Sequence, residues 1–306
     1  MSFFKLKILI FFMILFSLYI IIYLWSFIER KRLKINKFDI KNEKNNQKFK
    51  LVFITDFHNK KFDKRVLSKI FDLNPDYIVL GGDFINFSII QSLKNKVEYK
   101  NALNFFLELK KEFDIRKNKK GNNLKDIFFG LGNHELRLKE HIVDNSYLND
   151  VFDEFINCLK ECEFKILDDC TFDLCDRLTI SGLNLYNGYY GKKNKNTHID
   201  EKLIDSKFND IDLNKFNIMV FHKPDFCEDF IDYGFDLVLS GHNHGGLIVF
   251  PIIGPVFSPD FDLFPKYCIG LYKYKNGQVV VSSGFGEHFI KLRINNIPEI
   301  CVLNIC

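Results

Sequence analysis

Two aspartates, two asparagines, one glutamate and five of the eight histidines fall in short motifs, each close behind a run of apolar residues. The motifs are Asp56-Phe57-His58, Gly81-Gly82-Asp83, Gly132-Asn133-His134-Glu135, His222 and Gly241-His242-Asn243-His244-Gly245-Gly246. Carboxylates, an amide oxygen and imidazoles, without thiolates, suit divalent manganese, iron or zinc better than calcium, which prefers oxygen ligands alone. The residue types therefore predict a site for divalent metal ions.

The spacing within the motifs supports ligation by paired side chains. Asp56 and His58 are two residues apart, so in extended backbone both side chains project to the same side, and His242 and His244 share this spacing. Glycines on both sides of the histidine pair permit a tight loop. A carboxylate between two cations can bridge them, and Asp83 is the candidate for that position.

Short strands must bring these motifs together. β-Branched and aromatic runs predict strands at Leu51–Ile54, Tyr77–Leu80, Ile127–Phe129, Leu178–Ile180, Asn217–Phe221, Phe235–Leu239, Gln278–Val281 and Ile300–Leu303. Amphipathic stretches predict helices at Arg65–Leu73, Val97–Phe113, Val151–Cys162 and Cys227–Tyr233. Loops at the carboxyl ends of strands in α/β proteins gather ligands from distant parts of a chain. We therefore expect the motifs to converge at one edge of an α/β domain.

Each motif is weak evidence when it is taken alone. D-x-H arises often by chance, and a single G-D or histidine in a loop usually reflects turn chemistry or a satisfied polar contact. G-N-H-E is more specific, and G-H-x-H-G-G behind an apolar strand is more specific still. The complete series in this order favours a metal site over a set of unrelated turns.

The ordered series resembles the calcineurin-like metallophosphoesterase superfamily. Its pattern D-x-H, G-D, G-N-H-[DE], H and G-H-x-H is complete here from Asp56 to His244. Leu247–Gly254, Gly270–Tyr274, Ser283-Gly284-Phe285-Gly286 and Pro298-Glu299-Ile300 look like the membrane-associated bacterial phosphodiesterase branch. The resemblance covers residues 50–306, and it implies a four-layer α/β/β/α sandwich with a two-metal site between loops.

The resemblance also implies a role for each motif residue. One metal ion would be held by Asp56, His58, Asp83 and His244, and the other by Asp83, Asn133, His222 and His242, with Asp83 bridging. His134 matches the general acid of the family. The sequence departs from the pattern of this branch at two places near the substrate side. Leu247 stands where a glutamine is usual, and the run at 291–296 replaces a basic, Gly-containing run. These departures concern the choice of substrate and leave the metal set complete.

The substrate is predicted less sharply than the metal ligands. Arg137 and Lys223 are candidates for contacts with a phosphate or diphosphate, and aromatic residues at 257–267 for an acyl-chain groove or ordinary core packing. A lipid-linked phosphodiester or pyrophosphate, such as a UDP-diacylglucosamine-like molecule, is the leading interpretation. Soluble nucleotide phosphodiesters and a non-catalytic, metal-stabilised binding scaffold are the alternatives.

The N-terminal region predicts a membrane anchor at residues 1–29. Ile8 to Ile28 are 21 consecutive uncharged residues, which as a helix span about 31 Å, close to the hydrocarbon thickness of a bilayer. A cleaved signal peptide is the main alternative, but bulky Trp25 and Phe27 stand where small cleavage-site residues are expected. Residues 30–49 are basic and polar and are interpreted as a juxtamembrane linker, before a domain at 50–306.

Charge distribution predicts orientation and excludes one class of partner. Residues 1–50 hold 11 basic and 3 acidic side chains, and the chain as a whole has a net charge of +4. Two lysines precede the apolar run and seven basic residues from Arg30 to Lys44 follow it, so the positive-inside rule places the domain in the cytoplasm. The rest of the chain is net acidic, which argues against nucleic-acid binding. The eight cysteines show no zinc-site spacing, and we expect a monomer.

Overall fold

The computed structural model describes residues 3–44, 47–88, 91, 93–94, 96–117, 119, 121, 123–143, 145–185, 187–190, 198–208, 211–258, 262–287 and 290–306. Its helices are α1 (Phe3–Lys31), α2 (Arg65–Asp72), α3 (Lys100–Lys117), α4 (Asn133–His141), α5 (Ser146–Glu161), α6 (Glu201–Phe208) and α7 (Cys227–Tyr233). Short 3₁₀ turns occupy Asn187–Tyr190 and Pro224–Phe226.

Fourteen strands are seen in the described part of the chain. They are β1 (Lys34–Ile40), β2 (Phe49–Ile54), β3 (Tyr77–Leu80), β4 (Asp126–Gly130), β5 (Lys165–Leu167), β6 (Cys170–Cys175), β7 (Leu178–Gly182), β8 (Phe216–Val220), β9 (Leu237–Ser240), β10 (Val249–Phe250), β11 (Gly254–Pro255), β12 (Gly270–Tyr274), β13 (Gly277–Val281) and β14 (Glu299–Ile305). They form two six-stranded sheets and one two-stranded hairpin.

The first sheet has the strand order β1-β14-β2-β3-β4-β5. Strands β2, β3, β4 and β5 are parallel neighbours, while β14 runs antiparallel to β2 and parallel to β1. The carboxyl ends of β2, β3 and β4 therefore lie at one edge, and the motifs that begin at Asp56, Gly81 and Gly132 follow them there.

The second sheet has the order β12-β13-β9-β8-β7-β6. Its central strands β13, β9, β8 and β7 are parallel, and β12 and β6 close the two edges antiparallel to their neighbours. His222 and the histidine pair follow β8 and β9 at the carboxyl edge of this sheet.

Three apolar clusters separate the layers of the sandwich. In β2, Val52 and Ile54 pack towards the helices α2, α3 and α5, whereas Leu51 and Phe53 pack against the second sheet. This alternation follows from the two-residue period of a strand, and both faces are buried because a layer covers each of them. The second sheet in turn packs its outer face on α6 and α7. The predicted four-layer α/β/β/α sandwich is confirmed.

Each of the eight predicted strands overlaps an observed strand, and each of the four predicted helices overlaps an observed helix. The segment at 30–49 differs from the expected linker, because β1 lies inside it and pairs with β14 from Lys34–Glu299 to Ile40–Ile305. The segment is therefore part of the first sheet over residues 34–40 rather than a free tether. Helix α1 lies outside the sandwich, and its residues 3–25 are exposed, whereas Ser26 and Glu29 near its end are buried.

Candidate metal centre

Five loops from the two sheets converge on one cluster of buried side chains. Asp56 and Asp83 follow β2 and β3, and Asn133 is the first residue of α4 behind β4. His222 follows β8, and the histidine pair follows β9. The two sheets face each other, and the carboxyl ends of these strands lie at the same side. The position of the motifs behind predicted strands led to this expectation.

The first part of the cluster consists of Asp56, His58 and His244. The Nε2 atoms of His58 and His244 are 3.0 Å apart, and they lie 3.9 Å and 3.4 Å from Oδ1 of Asp56. All three side chains are buried. Two ring nitrogens and a carboxylate oxygen at these separations can ligate one ion.

The second part consists of Asp83, His222, His242 and Asn133. Nε2 of His222 lies 3.0 Å from Oδ2 of Asp83, and Nδ1 of His242 lies 2.9 Å from Oδ1 of Asn133. Oδ2 of Asp83 is also 3.8 Å from Nε2 of His58, so this carboxylate faces both parts of the cluster. The cluster is suited to a dinuclear metal site.

The electrostatics of the cluster favour a positive charge between the two carboxylates. Burial opposes ionisation of Asp83, but His222 and His134 outweigh it and hold the pKa of Asp83 well below its usual value. Burial raises the pKa of Asp56. Burial alone would lower the pKa of His222, whereas Asp83 and Asp56 raise that pKa to about 10. Without an ion a proton on His222 supplies the charge, and a divalent cation fits the same need because metal binding displaces such protons.

Backbone strain is concentrated at these residues. Asp56, His58, Asp83, His242 and His244 all have positive φ, between 46° and 67°, which is uncommon for residues other than glycine. Such conformations persist where surrounding contacts enforce them, and they gather at functional sites. Asp56 illustrates this, because the backbone N–H of His242 donates to both of its carboxylate oxygens, at 3.1 and 3.2 Å.

Two glycines allow the loops to approach this closely. A Cβ atom at Gly241 would stand 2.3 Å from Oδ2 of Asp56, and one at Gly132 would stand 2.3 Å from Oδ1 of Asp83. Any side chain at these positions would displace a carboxylate of the cluster.

His134 lies beside the cluster, and its tautomer is set by the backbone. The N–H of Phe87 donates to Nδ1 of His134 at 2.8 Å, so the proton of the neutral ring is on Nε2. That atom lies 3.8 Å from Oδ2 of Asp83. Burial lowers the pKa of His134 well below its usual value. The neutral ring therefore offers an Nε2–H donor on the side of the cluster.

Glu135 is the last residue of the G-N-H-E motif, and its carboxylate binds four backbone groups near the site. Its carboxylate accepts backbone N–H groups from Asp83, Phe84, Ile85 and Gly132 at 2.8–3.0 Å. Burial and the charge of Asp83 raise the pKa of Glu135 to about 7. Glu135 thus ties the loop after β3 to the start of α4. Its place in the G-N-H-E motif was the available signal.

Tyr190 was not identified from the sequence, and Asn296 was named only as part of the run at 291–296 near the substrate side. The Tyr190 ring is buried, with its centroid 5.6 Å from that of His242 and 6.3 Å from that of His222. The side chain of Asn296 donates to the carbonyl oxygens of His244, at 2.7 Å, and of Gly246. Neither residue belongs to one of the ligand motifs, so no local pattern placed them beside the metal ligands.

The two cations expected to contact substrate are buried and engaged with the protein. Nη1 of Arg137 donates to the carbonyl of Phe87 at 2.8 Å. Nζ of Lys223 donates to the carbonyl of Tyr189 at 3.2 Å and is paired with Asp225. In the aromatic stretch at 257–267, Tyr267 is buried and Phe264 is exposed, and Phe261 lies outside the described residues.

Comparisons with known proteins agree with the fold and the cluster. The family model described as calcineurin-like phosphoesterase matches residues 49–246, about two thirds of the sequence. The chain therefore belongs to the calcineurin-like phosphoesterase family.

Several bacterial proteins are similar to parts or most of the chain. The uncharacterised metallophosphoesterase YkuE of Bacillus subtilis is 36% identical over 90 residues, 29% of this chain and 31% of that protein. An uncharacterised metallophosphoesterase of Helicobacter pylori J99 is 28% identical over 90% of this chain, which spans 64% of its length. Phosphodiesterase YaeI of Escherichia coli is 33% identical over 29% of this chain and 32% of its own.

The structure of the protein TT1561 from Thermus thermophilus is 11% identical, with a TM-score of 0.39 over 78% of this chain and 90% of that one.

Proposed function

We propose that this phosphoesterase is anchored to a membrane by α1 and hydrolyses a lipid-linked phosphodiester or pyrophosphate at the membrane surface. Phosphoester hydrolysis is the activity of the family, and the cluster around Asp83 is suited to two divalent ions. The proposal adds the place of the reaction, the class of substrate and the role of each side chain.

We assign one ion to Asp56, His58, Asp83 and His244, and the other to Asp83, Asn133, His222 and His242. When bound, such ions bind phosphoryl oxygens and lower the pKa of a nucleophilic water. The short separations within each group and the position of Asp83 between the groups support this division. Manganese, iron and zinc all suit the donor set.

His134 is proposed to serve the leaving group. Its Nε2–H faces the cluster, while Nδ1 is held by the N–H of Phe87. A donor fixed in this direction can supply a hydrogen bond or a proton to the oxygen that departs from phosphorus. Because α4 begins at Asn133, the same helix start positions a metal ligand and this donor one residue apart.

Two features of α1 support its role as an anchor. Residues 3–25 are exposed, although nearly all of them are apolar, so α1 is not a core helix of the described domain. Ser26 and Glu29 are buried against the domain. The exposed length is sufficient to cross a bilayer, and the basic residues that follow favour a cytoplasmic domain.

The observation that carries the choice of substrate is a direct link between α1 and the metal cluster. The backbone N–H of Asn296 donates to Oε2 of Glu29 at 3.0 Å, and the side chain of Asn296 donates to the carbonyl of His244. Arg30 and His244 also line one narrow cavity together with Glu287. The end of the apolar helix therefore lies next to a proposed metal ligand. A substrate held in the bilayer would meet the site there.

The alternatives are a phosphodiesterase for soluble nucleotides and a binding scaffold without turnover. Leu247 and residues 291–293 of the run at 291–296, which depart from the usual pattern, border the cavity beside α1. The complete set of ligands, with His134 beside it, favours an enzyme over a scaffold.

The test uses the full chain in detergent or nanodiscs with added Mn²⁺. Generic aryl phosphate esters, soluble nucleotide diesters and lipid-linked pyrophosphates are compared, with products identified by mass spectrometry. Preferential cleavage of the lipid-linked compounds is expected. Equal or faster cleavage of soluble nucleotides would replace the proposed substrate class, and the absence of any hydrolysis would favour the scaffold. If a reporter fused to the C-terminus is accessible only from outside the cell, the domain lies on the side of the membrane opposite to the one proposed.

A further inference from the structure

An exposed apolar hairpin follows the loop that carries His244. Strands β10 and β11 pair with Val249 opposite Pro255 and Phe250 opposite Gly254, and residues 251–253 form the tip. Ile252 is 98% exposed, Ile253 64% and Phe250 50%. Large apolar side chains clustered at a protein surface mark a contact with another apolar phase or partner.

The apolar character extends beyond the tip. No charged side chain occurs among the fifteen residues from Gly245 to Pro259. The backbone N–H of Phe264 donates to the carbonyl of Val256 at 2.9 Å, and Phe264 and Leu263 are also exposed. Other exposed large apolar side chains outside α1, such as Leu107 and Leu213, stand alone in sequence. The hairpin and its neighbours therefore form one apolar patch, defined by Phe250, Ile252, Ile253, Leu263 and Phe264.

The base of the hairpin adjoins the end of α1. The N–H of Val249 donates to the carbonyl of Ile294 at 3.0 Å, and the N–H of Ile294 donates to that of Leu247 at 3.2 Å. One residue earlier, the N–H of Arg293 donates to Oγ of Ser26 in α1 at 2.9 Å. The segment 291–296 is thus held between the hairpin and α1. The hairpin that carries the patch therefore starts next to the point at which the proposed anchor leaves the domain.

Basic side chains surround the same point. Lys31 and Arg32 at the end of α1, and Lys291 in the shared segment, are exposed. A surface that combines a protruding apolar tip with flanking cations fits the interface of a bilayer that contains anionic lipids.

We propose that the β10–β11 hairpin inserts its tip into the interfacial region of the bilayer that α1 enters, as a second membrane contact. This inference rests on the anchoring proposed above. Ile252 is only eight residues beyond His244, so insertion would hold the metal cluster close to the lipid surface. Two membrane contacts, one helix and one hairpin, would also fix the tilt of the domain relative to the membrane plane. A single helix would not fix this tilt.

Tryptophan fluorescence tests the insertion, because Trp25 is the single tryptophan of the chain. The full chain is reconstituted into vesicles of phosphatidylcholine and phosphatidylglycerol, with or without bromine on the acyl chains. Wild-type protein reports on α1. An Ile252→Trp variant in a Trp25→Phe background reports on the hairpin, and Leu213→Trp in the same background is the control. Leu213 is 60% exposed and precedes β8, at the opposite end of the sheet from the cluster.

Brominated lipid is expected to quench Trp25 and the Ile252→Trp variant, and to leave the Leu213→Trp variant unchanged. Quenching of Trp25 alone would overturn the hairpin inference and leave the anchor in place, whether the hairpin then stays in water or contacts another protein. No quenching at either position would overturn both. Because Ile252 is almost fully exposed, its replacement by tryptophan leaves the packing of the domain intact.

An activity measurement provides a second criterion. Ile252→Ser combined with Ile253→Ser should lower turnover of a vesicle-borne phosphoester and leave turnover of a soluble aryl phosphate ester unchanged. Leu213→Ser should affect neither. Equal turnover of the vesicle-borne substrate by wild type and the double variant would count against insertion.

Discussion

The carboxylate of Glu135 accepts the backbone N–H of Asp83 at 2.8 Å, which couples the proposed bridging residue to helix α4. The same carboxylate accepts three further N–H groups, so it closes the loop after β3 from within. Asp83 has positive φ, and this contact helps to hold it there.

Replacing Glu135 should therefore destabilise the fold. Glu135→Ala leaves four buried N–H donors without their acceptor, and each such group costs about 1–3 kcal/mol. We expect the free energy of unfolding to fall by at least about 3 kcal/mol, measured by chemical denaturation, with Glu135→Gln in between. Glu140→Ala, exposed on the same helix, is the control. A Glu135→Ala variant as stable as this control would contradict the assigned role.

Substitution of Asp83 should remove more metal than substitution of a ligand that serves one ion. We expect two ions per wild-type chain, about one in His242→Ala and fewer than one in Asp83→Ala, by elemental analysis after dialysis. The reason is that the carboxylate of Asp83 faces both groups of ligands. Asp63→Ala, an exposed change, should retain two ions. Two ions in Asp83→Ala would refute the bridging position.

Asn296 should affect metal binding without touching an ion. Its side chain holds the carbonyl oxygens of His244 and Gly246, and residues that orient metal ligands typically change affinity by about 10–100-fold. Asn296→Ala should weaken metal binding in this range, in competition with a chelating dye. Asn304→Ala, at the far end of β14, is the matched control. Unchanged affinity in Asn296→Ala would show that the link between α1 and the cluster has no effect on the site.

His134 should matter for rate and not for metal content. His134→Ala is expected to retain its ions and to lose about 10²–10⁴ in turnover, because the Nε2–H donor to the leaving oxygen is removed. His141→Ala at the end of the same helix should turn over normally. Near-normal turnover of His134→Ala would exclude this residue from the reaction.

Lys60 should make stability depend on pH. Burial, reinforced by the charge of Arg293, lowers the pKa of Lys60 from 10.5 to about 8. Between these values the unfolded chain binds more protons than the folded one, so the free energy of unfolding rises with pH in this window. The rise is at most about 3 kcal/mol. The Lys60→Met variant should not show this rise in the free energy of unfolding.

Chemical denaturation between pH 7.5 and 10 tests this dependence of stability on pH. Lys61→Met, at the exposed neighbouring residue, is the control. The difference in stability between Lys60→Met and wild type should shift with pH in favour of wild type. A constant difference across the range would show that Lys60 keeps an ordinary pKa.

Local patterns in the sequence were sufficient for the candidate ligands and for most of the framework. Each ligand follows an apolar strand within a few residues, so its type and its position at a strand end can be read from a short segment. The predicted strands and helices were found for the same reason, with boundaries shifted by a few residues, as in β9. The apolar run of α1 is likewise a property of consecutive residues.

Contacts between distant segments were decided by the tertiary structure. β1 was read as a linker because its sequence is polar, and only pairing with β14, about 265 residues later, makes it a strand. Asn296, Glu29 and His244 meet although no motif joins them. Hydrogen bonds between segments so far apart in sequence depend on how the layers pack, so local propensity does not predict them. The sequence thus determined which side chains could bind metal, whereas the packing determined that the apolar helix ends beside them.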